Sequence, residues 1–300
     1  MATVAATPSV QLETLPQRPN ALWQFTKSQP LGLFGFLIIL LYVVCAFGAG
    51  WISPFDPEAI DFAAMLSKPG GEHWFGTDQY GRDVFSRIVY GSRTALAVGI
   101  ISAVAGCTLG ALVGAASGYF GGRIDNAIQR VVDIMLSFPI IVLAMVVVAV
   151  LGKWTFLAID LNLIAAITLP IAPRMARVAR ASTLSIVAMP FIDAARAAGF
   201  SHKRIILRHI VPNIVAPYLI MVSASMAQAI LLEASLSFLG LGVTEPTPAW
   251  GLMLSGASAD FYQTAPWMIL FPGIAITLAV FAFNLFGDSL RDWLDPKLKS

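Results

Sequence analysis

"LGLFGFLIILLYVVCAFGAGWI", residues 31–52, contains no charged side chain. A helix rises 1.5 Å per residue, so this run is long enough to cross the roughly 30 Å hydrocarbon layer of a bilayer. Five further nearly uncharged runs follow, at about 94–117, 131–151, 156–174, 214–236 and 267–287. None shows the strict polar–apolar alternation of a barrel strand. The chain therefore reads as an all-α polytopic membrane protein with about six transmembrane helices. Its composition agrees: 57% hydrophobic and 12% charged over 300 residues, where a soluble domain carries about a quarter charged.

Working outward, residues 1–30 read as a polar N-terminal tail rich in Pro, Thr and Gln. A signal peptide would place a shorter apolar run nearer the start, so 31–52 is read as a retained first span. Residues 31–93 form that span and a following loop. Residues 94–287 form the core membrane domain, and 288–300 a C-terminal tail. Trp51, Trp154, Trp250 and Trp267 fall near span ends, where amphipathic rings favour the membrane interface. Cys45 and Cys107 lie inside apolar runs and read as small core hydrophobes, with no disulfide framework or metal cluster.

The basic residues set the orientation. With the N-terminus inside, 14 of the 19 Lys and Arg fall in inside segments and 5 outside. The positive-inside bias thus predicts both termini in the cytoplasm. Three connections are then long: 53–93 outside, 175–213 inside and 237–266 outside.

Within the inside connection stands "DAARAAGFSHKRIILRHIVPN", residues 193–213. Its Ala-rich start favours a helix, and Gly199 is a natural left-handed stop. Ser201 suits the N-cap of a second short helix, with Phe200 and Ile205 at staple spacing. Pro212 closes the unit by withholding a donor. Ala194, Ala195 and Ala198 give a small face; Ile205, Ile206 and Ile210 give an apolar patch; Arg204, Arg208 and His209 add a basic side. Two readings compete: an amphipathic helix lying on lipid, or a short helix fitting a groove on a partner. A helix–Gly–helix break serves no purpose on lipid, and alanines anchor poorly there, which favours the partner.

This segment resembles the cytoplasmic loop of ABC-importer permeases, whose pattern is Glu-Ala-Ala, three residues, Gly, about nine residues, then an apolar stretch ending in Pro. Here Asp193 replaces the usual Glu, and His209 stands where an apolar residue is common. "HWFGTDQYGRDVFSRIVYGSR" (73–93), "GYFGGRIDNAIQRVVDIMLSFP" (118–139), "EASLSFLGLGVTEPTPAWGLML" (233–254) and "FPGIAITLAVFAFNLFGDSLRDWLDP" (271–296) are similar to the dipeptide/oligopeptide/nickel branch, C-type subunit. The resemblance implies a type I ABC-importer permease bundle carrying di- or oligopeptides. Its implied partners are a second homologous permease, two cytoplasmic ATP-binding subunits and an extracytoplasmic substrate-binding protein, in the lipid bilayer and without nucleic acid. It also implies that the loop around 193–212 couples the spans to the ATPases.

The residues themselves hold no Walker A loop, since Gly152-Lys153 lacks the upstream glycine. The chain is therefore expected to be non-catalytic, with no cofactor and with ATP hydrolysis on partner subunits. Glu233, with Gln228 before it, is a candidate for the translocation pathway, because an acid in a span is costly and often functional. The alternative is a paired or interfacial acid. Asp133, at the inner mouth of the third span, reads as solvated. On the outer side, Asp78, Arg82 and Asp83 read as an exposed mixed-charge patch. It is either a docking site for the binding protein or a solvated helix face, and Asp83 with Arg87 has helical i, i+4 spacing. His202 and His209 are too far apart on a two-turn helix to share a metal. Gly106, Gly110, Gly114 and Gly118 recur every four residues and permit close helix approach, within the chain or across a subunit seam. Nickel, glutathione or opines are the alternative cargoes. An ion-driven secondary transporter is the alternative class, expected to show discontinuous spans or a midplane ionisable cluster.

Overall fold

The computed structural model describes residues 28–152, 155–156, 159–256 and 260–294. Most of the expected N-terminal tail, Trp154 and the last residues of the C-terminal tail lie outside them.

Helix α1 spans Pro30–Ile52, with Pro30 pre-setting the first turn. Helix α2 spans Val84–Phe120 and ends where Gly121 takes φ 63°. It starts well before the expected Thr94, because the Asp83 side chain accepts the Ser86 N–H and caps it. Residues 84–93 are thus helix rather than loop.

The expected third span, 131–151, is two helices: α3, Gly122–Ser137, and α4, Ile140–Leu151. They meet at a 100° bend. Pro139 carries no N–H and pushes Phe138 to extended backbone (ψ 141°), which a single helix cannot pass through. A two-residue ladder pairs Thr155–Phe156 with Ile159–Asp160.

Helix α5, Leu161–Val187, holds Pro170 and Pro173 inside it and runs well beyond the expected end at Arg174. Then come α6, Pro190–Ala197, and α7, His202–Ile205. A π-turn, Ile206–Ile210, and a 3-10 turn, Val211–Ile214, lead into α8, Val215–Phe238. Pro212 was expected to close this unit. Instead the chain stays helical from His202 to Phe238, because the wide turn before Pro212 absorbs its missing donor. A short α9, Trp250–Leu254, precedes α10, Trp267–Leu294. The latter extends into what reads as C-terminal tail. Among the described residues, five stretches are long and apolar enough to cross a membrane, and the bent α3–α4 pair makes a sixth.

The bundle has two apolar centres. One gathers α2, α4, α5, the 192–214 segment and α8; the other gathers α1, α2, α8, α9 and α10. The four-residue glycine repeat makes the first possible. A Cβ on Gly106 would meet the Thr168 carbonyl at 2.9 Å, and one on Gly118 the Arg180 carbonyl at 2.9 Å. At Gly110 and Gly114 it would overlap the carbonyl oxygens of Ala172 and Ala176. The repeat is therefore the internal α2–α5 seam. Large side chains such as Phe34, Phe47, Val146 and Phe281 stay exposed, as a lipid-facing surface requires.

The interface reading of two tryptophans does not hold. Trp250 and Trp267 are buried. Their indole N–H groups bond the Ile88 carbonyl (2.9 Å) and the Thr77 carbonyl (3.0 Å), so they act as packing posts for the loops.

Candidate functional site

At one end of the bundle, residues 190–214 form an elbow. Helix α6 stops in a Schellman arrangement: the Phe200 N–H bonds the Ala195 carbonyl and the Gly199 N–H bonds the Arg196 carbonyl. Gly199 takes φ 75°. The Ser201 hydroxyl then accepts the Arg204 N–H at 3.4 Å, starting α7. These are the stop and the cap expected from sequence.

The apolar residues of the elbow point the other way from expectation. Ile192, Ala195, Ile205 and Ile210 are buried in the chain's own core. The isoleucine patch is thus an anchor, not an outward face, because the re-entering helix needs it for burial. Ala195 belongs to that anchor. The outward surface is left to Asp193, Ala194, Ala198, Gly199, Ser201, Arg204, Arg208 and Pro212, all exposed. Further contacts bolt the elbow to α2: Tyr119 and His202 Nδ1 hydrogen-bond at 2.8 Å. Within the elbow itself, the His209 and Phe200 rings lie near-parallel with centroids 6.1 Å apart, and the Arg204 guanidinium lies 3.9 Å from the Phe200 ring centroid. Among the described residues Asp193 pairs with Arg196, at 3.3 Å.

At the opposite end, Asp78, Arg82 and Asp83 are not an exposed patch. All three are buried. Arg82 donates to Asp78 at 2.7 Å and to Glu245 at 2.6 Å. Arg87, fully buried, reaches the Pro57 carbonyl at 3.0 Å and Glu245 at 3.5 Å instead of pairing with Asp83. Asp83 serves as the α2 cap and bonds His73 Nδ1 at 2.9 Å. Burial works against the Arg82 charge, but the hydrogen bond to Glu245 and the Asp78 carboxylate more than offset it, so its pKa lies above the ordinary arginine value. Burial likewise opposes ionisation of Glu245, yet the Arg82 hydrogen bond and the two guanidinium charges hold it below the usual carboxylate range. The network ties the 53–83 loop to the 239–249 loop. Sequence reading missed Glu245, whose partners are far away along the chain.

Between the two ends, an open hollow of about 330 Å³ lies among α5, α8 and α10. Arg174 donates to Gln228 Oε1 at 2.9 Å on its wall. Glu233 does not reach it. Five residues along a helix turn the side chain about 140° from Gln228, and Glu233 is buried, accepting from the Ser237 hydroxyl at 2.8 Å. Ser237 Oγ in turn accepts the Val243 N–H, so this acid steadies the next loop. Asp133 is exposed but paired with Arg177 at 2.6 Å. Asp125, buried at the start of α3, takes two bonds from Arg180.

Residues 106–300 match the family described as the binding-protein-dependent transport system inner membrane component. The chain belongs to this family. Residues 20–69 of the permease also match the N-terminal TM domain of oligopeptide transport permease C. It is 42% identical over 274 residues to the dipeptide transport system permease protein DppC of Alkalihalophilus pseudofirmus, covering 91% of this chain and 88% of that one. It is 40% identical over 299 residues to the glutathione transport system permease protein GsiD of Escherichia coli, covering 99% and 97%. A putative peptide transport system permease of Brucella suis is 43% identical over 265 residues, covering 88% and 87%. The fold of the permease is similar to a chain of the MetNI methionine ABC transporter in inward-facing conformations, with a TM-score of 0.54, covering 70% of this chain and 98% of that one. Identity there is 18%, so that likeness concerns the fold alone.

Proposed function

We propose that this permease is the C-type membrane subunit of an ATP-driven importer of di- and oligopeptides. It forms half of the translocation pathway beside a second homologous permease. Two ATP-binding subunits sit against the elbow, and an extracytoplasmic binding protein delivers cargo at the other end. Both chain termini lie on the ATPase side, as the distribution of Lys and Arg supports.

The observation that carries this reading is the elbow. A two-helix unit with an exposed small and basic surface is rooted in the core by Ile192, Ile205 and Ile210. A push on it therefore moves α2, α5 and α8, not a slack loop. Coupling needs only that the ATPases dock differently in their two nucleotide states. The buried network under the outer loops supports a docking role of the same logic. Asp78, Arg82 and Asp83 brace the shelf on which the binding protein rests, and Gln228 lines the pathway between.

The full-length 40% relative that names glutathione favours a second cargo reading, glutathione, on the same machinery. Uptake into proteoliposomes decides. Peptide should accumulate only with ATP, binding protein, both permeases and the ATPases present. Accumulation by this chain alone would overturn the reading, and accumulation of glutathione but not peptides would favour the second cargo.

A further inference from the structure

Three arginines at three-residue spacing lie along α5: Arg174, Arg177 and Arg180. Two have a carboxylate. Arg177 pairs with Asp133 at 2.6 Å and Arg180 with Asp125 at 2.5 Å. Arg174 is the one at the midpoint of Leu161–Val187, about 20 Å from either end of that helix. Among the described residues its polar partner is the neutral amide of Gln228. A guanidinium has five N–H donors, and one is engaged.

An uncompensated cation at mid-helix is costly in a membrane and marks a path for charge or cargo. Here it opens into the hollow of about 330 Å³, whose other polar walls are Ser225 and Asn284 among Leu231 and Val280. The planar fork of arginine matches a carboxylate in two parallel hydrogen bonds. Gln228 occupies one edge of that fork and leaves the rest to the hollow. Resting on the importer reading above, we infer that Arg174, held in place by Gln228, reads the free carboxylate of the cargo in transit. Dipeptides, oligopeptides and glutathione all carry one, whereas a bare divalent cation would be repelled.

The test uses proteoliposomes holding the whole importer, loaded through its own binding protein. Uptake of alanyl-phenylalanine is compared with uptake of its C-terminal amide. The preference of the binding protein is common to all permease variants, so it cancels when their acid-to-amide ratios are compared. Losing a charged hydrogen-bonding partner is expected to lower that ratio roughly ten- to a hundredfold in Arg174→Gln. Arg174→Lys, which keeps the charge, should restore part of the preference; a merely structural arginine would not produce this pattern. An unchanged ratio in Arg174→Gln would overturn the carboxylate contact while leaving the importer reading intact. So would loss of the second permease from the purified Arg174→Gln complex, which would mean that a carboxylate of that subunit sits on Arg174. Wild-type vesicles that accumulate neither compound would sink the importer reading and this inference together.

Discussion

Arg82 Nη1 and Glu245 Oε2 lie 2.6 Å apart across 163 residues of chain. The bond pins the loop before α2 to the loop after α8, and Glu245 also serves the fully buried Arg87. Glu245→Ala would leave two buried guanidiniums sharing Asp78. Breaking a buried pair costs about 3–5 kcal/mol. Glu245 is half-exposed, and water screens what it loses, so about 1–2 kcal/mol is expected. Limited proteolysis should cut residues 53–83 and 239–249 faster in the variant.

The same pair sets a pH dependence. Glu245 is held below its ordinary value in the folded chain, so its stabilisation is complete above the unfolded value of about 4.3 and fades as the pH falls through its folded value. Protease resistance of the two loops should therefore drop in acid for the wild type. Glu245→Gln should start lower and change less. Parallel acid profiles for the two would show that Glu245 is not the titrating group.

How much of this was written in the sequence follows from distance along the chain. The Gly199 stop and the Ser201 cap were legible because each acts within a few residues. The glycine repeat was legible as a close-packing face, though not which helix would meet it. The burial of Asp78, Arg82 and Asp83 was not legible, because it depends on Glu245, in a different loop. The 100° break at Pro139 was not legible either: it fell inside a run read as a single span. Arg174 read as one more inside charge because the helix beyond Pro170 and Pro173 was expected to end there. Only the hollow formed with α8 and α10 sets it apart from Arg177 and Arg180.

The α2–α5 seam yields a contrast between two glycines. A Cβ at Gly114 runs into the backbone of Ala176, which cannot step aside. Gly273, inside α10, has open space around its would-be Cβ. Gly114→Ala should destabilise the purified chain by about 1–3 kcal/mol through overpacking. Gly273→Ala should be neutral, or stabilising by about 0.5–1 kcal/mol from lost backbone freedom in the unfolded state. Thermal unfolding in detergent would check both; equal midpoints would refute the seam.

Asp125 and Arg180 join α3 to α5, with the Ser117 hydroxyl from α2 on the same carboxylate. The carboxylate side chain is the more deeply buried of the two. Arg180→Ala therefore strands a buried anion and should cost more than Asp125→Ala, which leaves a guanidinium with access to water. A double-mutant cycle on unfolding is expected to give a coupling of about 1–3 kcal/mol. Coupling near zero would mean the pair merely meets at the surface.

The elbow rests on one backbone conformation. Gly199 sits at φ 75°, and its N–H bonds the Arg196 carbonyl. Proline fixes φ near −65° and has no N–H, so Gly199→Pro removes both the turn and the bond. The buried isoleucines on either side should still hold the chain in the membrane, while the exposed surface from Asp193 to Arg208 loses its shape. Membrane fractions should therefore contain normal amounts of the variant, and the ATPase subunits should fail to co-purify with it. Gly199→Asn is the matching control, since asparagine tolerates the left-handed region, and it should retain most of the association. If the ATPases come down with the proline variant as well as with wild type, the elbow is not their handle, and the route from nucleotide to transport must enter the bundle elsewhere.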